Sequence, residues 1–198
     1  MTVSILRTKI ERIAWYGEHL SRIKDQHNLV NLAANPKREI LDINERLVAI
    51  LVILKDGIKA EDEVKPLLDL VKDESDFPIT EFVKKGTVDE YMEGKAIDKD
   101  TKEIIDKKEN NALLRGEAAL ALAKHDLKTD EFIKVLTDIA NSMANDPLFI
   151  WENKEQRIIT HYFKNFLTAL YEVDRNSTLP LIKAFSINEQ ELKKIYLS

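Results

Sequence analysis

Four carboxylates stand at the most chemically suggestive spacing in this chain. Asp98, Asp100, Asp106 and Glu109 fall on the first, third, ninth and twelfth positions of a calcium-binding loop, with Ile105 at its apolar eighth position. The pattern fails at its centre. Lys102 puts a positive charge where a ligand belongs, and Glu103 replaces the glycine that the sharp bend needs. A charged helix start accounts for these residues better. The four histidines, His19, His27, His125 and His161, are scattered, and none completes a His-Glu-x-x-His or Glu-x-x-His pattern. On a helix, His19 and His27 lie two turns apart, too far to share one small ion. The absence of cysteine excludes a thiolate zinc site, a thiol nucleophile and a disulfide framework. There is no Gly-x-Ser-x-Gly turn and no glycine-rich phosphate loop. Carboxylate pairs such as Glu152 and Glu155 exist, but 35 acidic residues make such pairs a matter of coincidence. The expectation is a chain that is not an enzyme, with no catalytic residues, no metal and no cofactor.

These side chains belong to a chain of 198 residues, enough for one domain that buries roughly 70% of the surface its unfolded form exposes. Hydrophobic residues at 44% beside charged residues at 33% exclude both a disordered acidic chain and a membrane protein. With only 5 Gly and 5 Pro there is too little turn chemistry for a many-stranded barrel or sandwich, so the expected class is all-α. Met1 to Ile13 carries Arg7, Lys9 and Arg12 among its apolar residues and lacks a signal-peptide pattern, from which a cytoplasmic location is expected. The net charge of −5 is unevenly distributed. Residues 1–54 carry 8 basic and 6 acidic groups, 55–110 carry 11 and 17 with no arginine, and 111–198 carry 11 and 12. No basic stripe of the kind that releases counterions is present, so no nucleic-acid partner is expected.

Apolar periodicity predicts a first helix over about Ser4 to Asn35, ended by Pro36, and a second over about Lys37 to Asp56, closed by Gly57. The apolar run Leu47 to Leu54 demands a central position, yet it is far shorter than the roughly 20 residues a membrane span needs. A short helix follows, with Asp62 as its cap and Pro66 in its first turn. Residues 74–110 read as a charged insertion or eroded repeat with loosely held short helices, one of them opened by a Thr87–Glu90 capping box. Strong periodicity returns over Asn111 to His125, Thr129 to Asn145, Pro147 to Val173, Leu179 to Phe185 and Ile187 to Tyr196, the last capped by Ser186 and Glu189. The bulky groups Leu148 to Trp151 and Trp15–Tyr16 read as core packing, with an interface role as the alternative.

Some of these helices repeat one another. A shift of 68 residues places Ile50, Leu51, Ile53 and Leu54 on Ala118, Ala119, Ala121 and Leu122, and Val64, Leu67, Leu68 and Val71 on Phe132, Val135, Leu136 and Ile139. A further shift of 48, then 46, brings Phe166 to Leu170 and Leu181 to Phe185 into the same pattern. Each pair has one helix with a broad apolar face and one with a narrower stripe, so pairs must stack to cover their surface. The stretch Arg115-Gly116-Glu117-Ala118-Ala119-Leu120-Ala121-Leu122-Ala123, followed by Phe132-Ile133-Lys134-Val135-Leu136, resembles the HEAT and armadillo class of helical repeats. Asp62 to Leu68 is similar to that class's second-helix opening. The resemblance covers about three helix pairs, with uneven spacing. It implies one all-α domain over 1–198, a HEAT-like superhelix of antiparallel helix pairs, with an irregular helical bundle as the alternative.

In that class the second helices line the concave face, so the resemblance implies a non-catalytic adaptor or scaffold that binds another protein. Its outward positions are Lys65, Asp69 and Lys72 on one second helix, Lys134, Asp138 and Asn141 on the next, and Lys183 on the third. The competing readings are an enzyme with a site between helices, a toxin-neutralising immunity protein, and a homo-oligomeric structural protein. No membrane partner is expected.

Overall fold

The computed structural model describes residues 30, 33–34, 43–58, 61–72, 78–152, 154, 157–190 and 192–193. The expected first helix falls almost wholly outside them, as do Trp15–Tyr16, His19, His27, Pro36 and Glu155. Low turn content and helical periodicity give a predominantly helical chain. Helix α1 spans Ile43–Asp56, and α2, Val64–Val71, follows a 3-10 turn at Glu61–Glu63. After a second 3-10 turn at Ile79–Glu81 come α3 (Lys85–Met92), α4 (Lys99–Lys124) and α5 (Asp130–Ala144). A hairpin of β1 (Ile150–Glu152) and β2 (Arg157–Ile159) then leads into α6 (His161–Val173) and α7 (Arg175–Ala184).

Local chemistry explains most of the boundaries. Gly57 closes α1 at φ +82°, where a Cβ would be strained, and its amide donates to the Ile53 carbonyl at 2.8 Å. Thr129 caps α5 by accepting from the Phe132 amide at 3.2 Å. Pro66 lies in the first turn of α2 as expected, but the cap there is Glu63, without a side-chain bond, and not Asp62. Helix α3 starts after Lys84, which places Thr87 and Glu90 inside the helix instead of in a capping box. Ser186 is no cap either: at φ +53° it terminates α7, and Asn188 takes the capping role by accepting from the Gln190 amide at 2.9 Å. Asp174 caps α7 through the Asn176 amide at 3.0 Å, so that helix begins at Arg175, ahead of the expected Leu179.

Two larger corrections concern the middle and the C-terminal third. Helix α4 does not begin at Asn111. It begins at Lys99 and runs unbroken for 26 residues, and Ile79, Val83, Val88 and Ile105 of the charged stretch are all buried. The expected long helix from Pro147 is interrupted by the hairpin, whose register pairs Ile150 with Ile159, Trp151 with Ile158 and Glu152 with Arg157. Asp146 breaks the helix there. Its carboxylate accepts from the Leu148 amide at 3.0 Å, the self-bonding that draws aspartate into turns, and the β-branched run Ile158 to Thr160 then favours extended chain.

Helix α4 is the centre of the packing, lying against α1, α2 and α6, while α6 in turn packs against α5 and α7. The buried apolar residues of all these helices form one continuous cluster. Gly116 permits a close approach of α4 and α6, since a Cβ there would stand 3.1 Å from the Asn165 Cβ. On α1, Leu47, Ala49, Ile50, Leu51, Ile53 and Leu54 are all buried, which fulfils the central position its sequence demands.

Burial also fixes the register of the internal likeness. It is 69 residues, not 68. Along 61–71 and 130–140 the sequence of exposed, half-buried and buried positions is identical, pairing Lys65 with Lys134, Leu67 with Leu136, Asp69 with Asp138 and Leu70 with Ile139. The same shift carries Arg46 onto Arg115, Lys55 onto Lys124, and Gly57 onto Asp126, which also has positive φ at +65°. The sequence alignment slips by one because it matches apolar letters, whereas Glu63 and Phe132 share the buried position at the head of the second helix.

Candidate functional site

The outward row on the second helices is built by amphipathic α2, α5 and α7. With Leu67, Leu70 and Val71 buried on one and Phe132, Leu136, Ile139 and Met143 on the other, the opposite face goes to solvent. Lys65, Asp69, Lys134, Asp138, Asn141 and Lys183 are exposed. Lys72 differs: it is half-buried and forms an ion pair with Glu131, tying the C-terminal end of α2 to the N-terminal end of α5. Lys65 and Asp69 stand one helical turn apart, as do Lys134 and Asp138, so the same charge pattern is presented twice in the same register. The Asn141 main-chain carbonyl accepts from the Asn145 side-chain amide at 2.8 Å.

A second group of polar residues lies inside, where α3, α4 and the hairpin meet. Asp146, 2% exposed, accepts from the Ile79 amide at 3.0 Å and pairs with Lys108 at 3.2 Å. The Lys108 ammonium also stands 5.5 Å from the centre of the Phe149 ring. Tyr91 donates its hydroxyl to Glu109 at 2.9 Å, and the Trp151 indole donates to Asp89 at 3.0 Å. Burial pushes the Glu109 carboxyl above its ordinary range and the Asp106 charge pushes it further, while the Tyr91 bond and Lys102 pull the other way. The Tyr91 phenol is raised well above its usual value, first by burial and then by the charge and hydrogen bond of Glu109. The Tyr91 phenol thus keeps its proton, and that proton is already committed to Glu109.

The calcium-spaced carboxylates lie on a helix, not in a loop. Asp98 caps α4 by accepting from the Thr101 amide at 2.9 Å, Asp106 pairs with Lys102, and Glu109 turns inward to Tyr91. Among the described residues, no group of three or more histidine or acidic side chains is arranged to hold a metal ion. His125 caps the C-terminal end of α4, and His161 opens α6 with its ring 3.8 Å from that of Tyr162. Glu152 pairs with Arg157 across the hairpin at 3.2 Å. Leu148, Phe149 and Trp151 are buried, which places that bulky run in the core. No helix among the described residues is long and apolar enough to cross a membrane.

Sequence reasoning missed two arginines. Arg115, 2% exposed, donates Nε to the Val71 carbonyl at 3.0 Å, at the C-terminal end of α2, with its guanidinium 6.0 Å from the Phe166 ring centre. Arg46, its counterpart in the 69-residue register, donates Nε to the Ala33 carbonyl at 2.9 Å. Each first helix thus reaches back with a cation to a carbonyl of a preceding helical residue, and for Arg115 that carbonyl sits at the negative end of the helix dipole. The signal was present: each arginine immediately precedes the small or apolar stretch of its helix, Leu47 to Leu54 and Gly116 to Ala123, the second interrupted by Glu117. The chain matches no protein-family model, no curated protein and no solved structure.

Proposed function

We propose that the chain is a non-catalytic protein-binding module, a HEAT-like stack of helix pairs that presents the second-helix row to another protein. The observation that carries this reading is the doubled surface pattern, Lys65 and Asp69 recurring as Lys134 and Asp138 in a register where the burial of residues 61–71 recurs at 130–140. An unconstrained solvated face has no reason to keep identity at the same two exposed positions. The paired arginines support stacking, since each fastens a first helix to a preceding helical segment by the same bond. Mixed charge on the row favours a partner of mixed charge and a rate of association that falls with salt.

The test compares wild type with a variant carrying Lys65→Ala, Asp69→Ala, Lys134→Ala and Asp138→Ala. A control variant changes Glu81 and Lys95, which are exposed elsewhere. Partners captured by wild type from the native cytosol are identified, purified and titrated calorimetrically against all three proteins. The reading requires the row variant to lose at least about tenfold in affinity while the control binds like wild type. Equal binding by the row variant would refute it.

A further inference from the structure

Measured against the 69-residue register, two described stretches are additional to the paired helices. Residues 78–111 lie between α2 and the part of α4 that corresponds to α1, and residues 145–152, 154 and 157–160 lie between α5 and α6. Both are connections from a second helix to the next first helix, so both leave from the same kind of place in consecutive pairs. They meet. Asp146 of the second connection accepts from the Ile79 amide of the first, and pairs with Lys108. Trp151 of the second donates to Asp89 of the first.

We infer that residues 78–98, together with 145–152 and 157–160, form one cooperative clasp, latched by Asp146 and able to open as a unit apart from the paired helices. If residues 78–98 lifted alone, the buried Asp146 carboxylate would lose its Ile79 amide while still held in place. If the second connection lifted alone, the buried Ile79 amide would lose its acceptor and Lys108 its anion; in either case Asp89 would lose its indole donor. Stripping one partner from a buried charge is more costly than releasing both partners to solvent, so the half-open states are disfavoured and both connections move or neither does. Ile79, Val83, Val88, Leu148 and Phe149, buried in the closed clasp, are the apolar face that opening uncovers. Leu47, Ile50, Ile53 and Leu54 of α1 and Ala118 to Ala123 of α4 are buried outside the clasp.

Native-state hydrogen exchange read by mass spectrometry on the full chain tests this with Asp146→Asn and Trp151→Phe. Asp146→Asn is expected to accelerate exchange over residues 79–92 and 146–159 together, by roughly 10- to 100-fold, with residues 47–54 and 118–123 unchanged. Trp151→Phe, which keeps an aromatic ring and removes the donor, is expected to accelerate the same two segments by a smaller factor. Acceleration confined to the substituted connection, or spread equally into 118–123, would overturn the inference. If Asp146→Asn fails to fold, Trp151→Phe alone decides by the same criterion.

Discussion

Arg115 illustrates how much one buried side chain contributes to this architecture. Its guanidinium is desolvated, and the Val71 carbonyl it satisfies would be left bare by truncation. Losing a hydrogen bond from a charged donor together with that orphaned carbonyl places Arg115→Met at about 2–3 kcal/mol of destabilisation, read from urea midpoints. Arg115→Lys should recover little, because a lysine lacks the planar fork that reaches the carbonyl while stacking near Phe166. Arg46→Met should cost less, since Arg46 is only half-buried. Equal losses at the two positions would contradict the role assigned to burial. Glu109 gives a prediction in pH. Its folded carboxyl is raised above the ordinary value, so its favourable contribution is fully present in acid below that value and is lost as pH rises through the raised one. Stability measured for wild type minus Glu109→Gln should therefore decline from about pH 4 toward neutrality. A difference that rises over this range would show that the Tyr91 and Lys102 interactions outweigh burial.

At the scale of elements, glycine substitutions separate packing from propensity. Gly116→Val inserts bulk where even a Cβ meets Asn165 at 3.1 Å, and should cost about 1–3 kcal/mol through separation of α4 and α6. Gly86→Ala, in the first turn of α3 with nothing within 4 Å of the added carbon, should instead be stabilising by about 0.4–1 kcal/mol. Differential scanning calorimetry of the two variants distinguishes these signs, and a stabilising Gly116→Val would mean the two helices are not tightly apposed. The helices easiest to read in the sequence were those with one strong apolar stripe: α1, α2, α5 and the C-terminal half of α4. The polar N-terminal half of α4 was illegible because only Ile105, Glu109 and Ala112 turn inward along it, which leaves almost no apolar period. The hairpin was misread because Leu148 to Trp151 is apolar without interruption, a pattern common to buried helix and buried strand, and each strand is only three residues long. The outward row could be read in advance because it is the complement of a stripe, whereas Asp146, Glu109 and Arg115 depend on partners 18 to 67 residues away in sequence.

For the whole molecule, the question is whether copies of the chain associate with one another. A stable interface between protein subunits buries about 800 Å² on each partner and has a core depleted in charge. Among the described residues only Phe82, at 59%, and Ile104, at 39%, are large apolar side chains left exposed, and both stand among charged neighbours in the stretch between α2 and the centre of α4. A side chain of that size supplies at most about 150–250 Å², so these two fall well short even if both contributed fully. The surface around them mixes Lys, Asp and Glu, and the net charge of −5 adds a weak mutual repulsion between copies. The expected outcome is a monomer: multi-angle light scattering should return a mass near 22.8 kDa, unchanged over a hundredfold dilution and insensitive to salt. A mass that doubles with concentration and is restored to one copy by Phe82→Ser with Ile104→Lys would instead locate a self-association surface on that stretch.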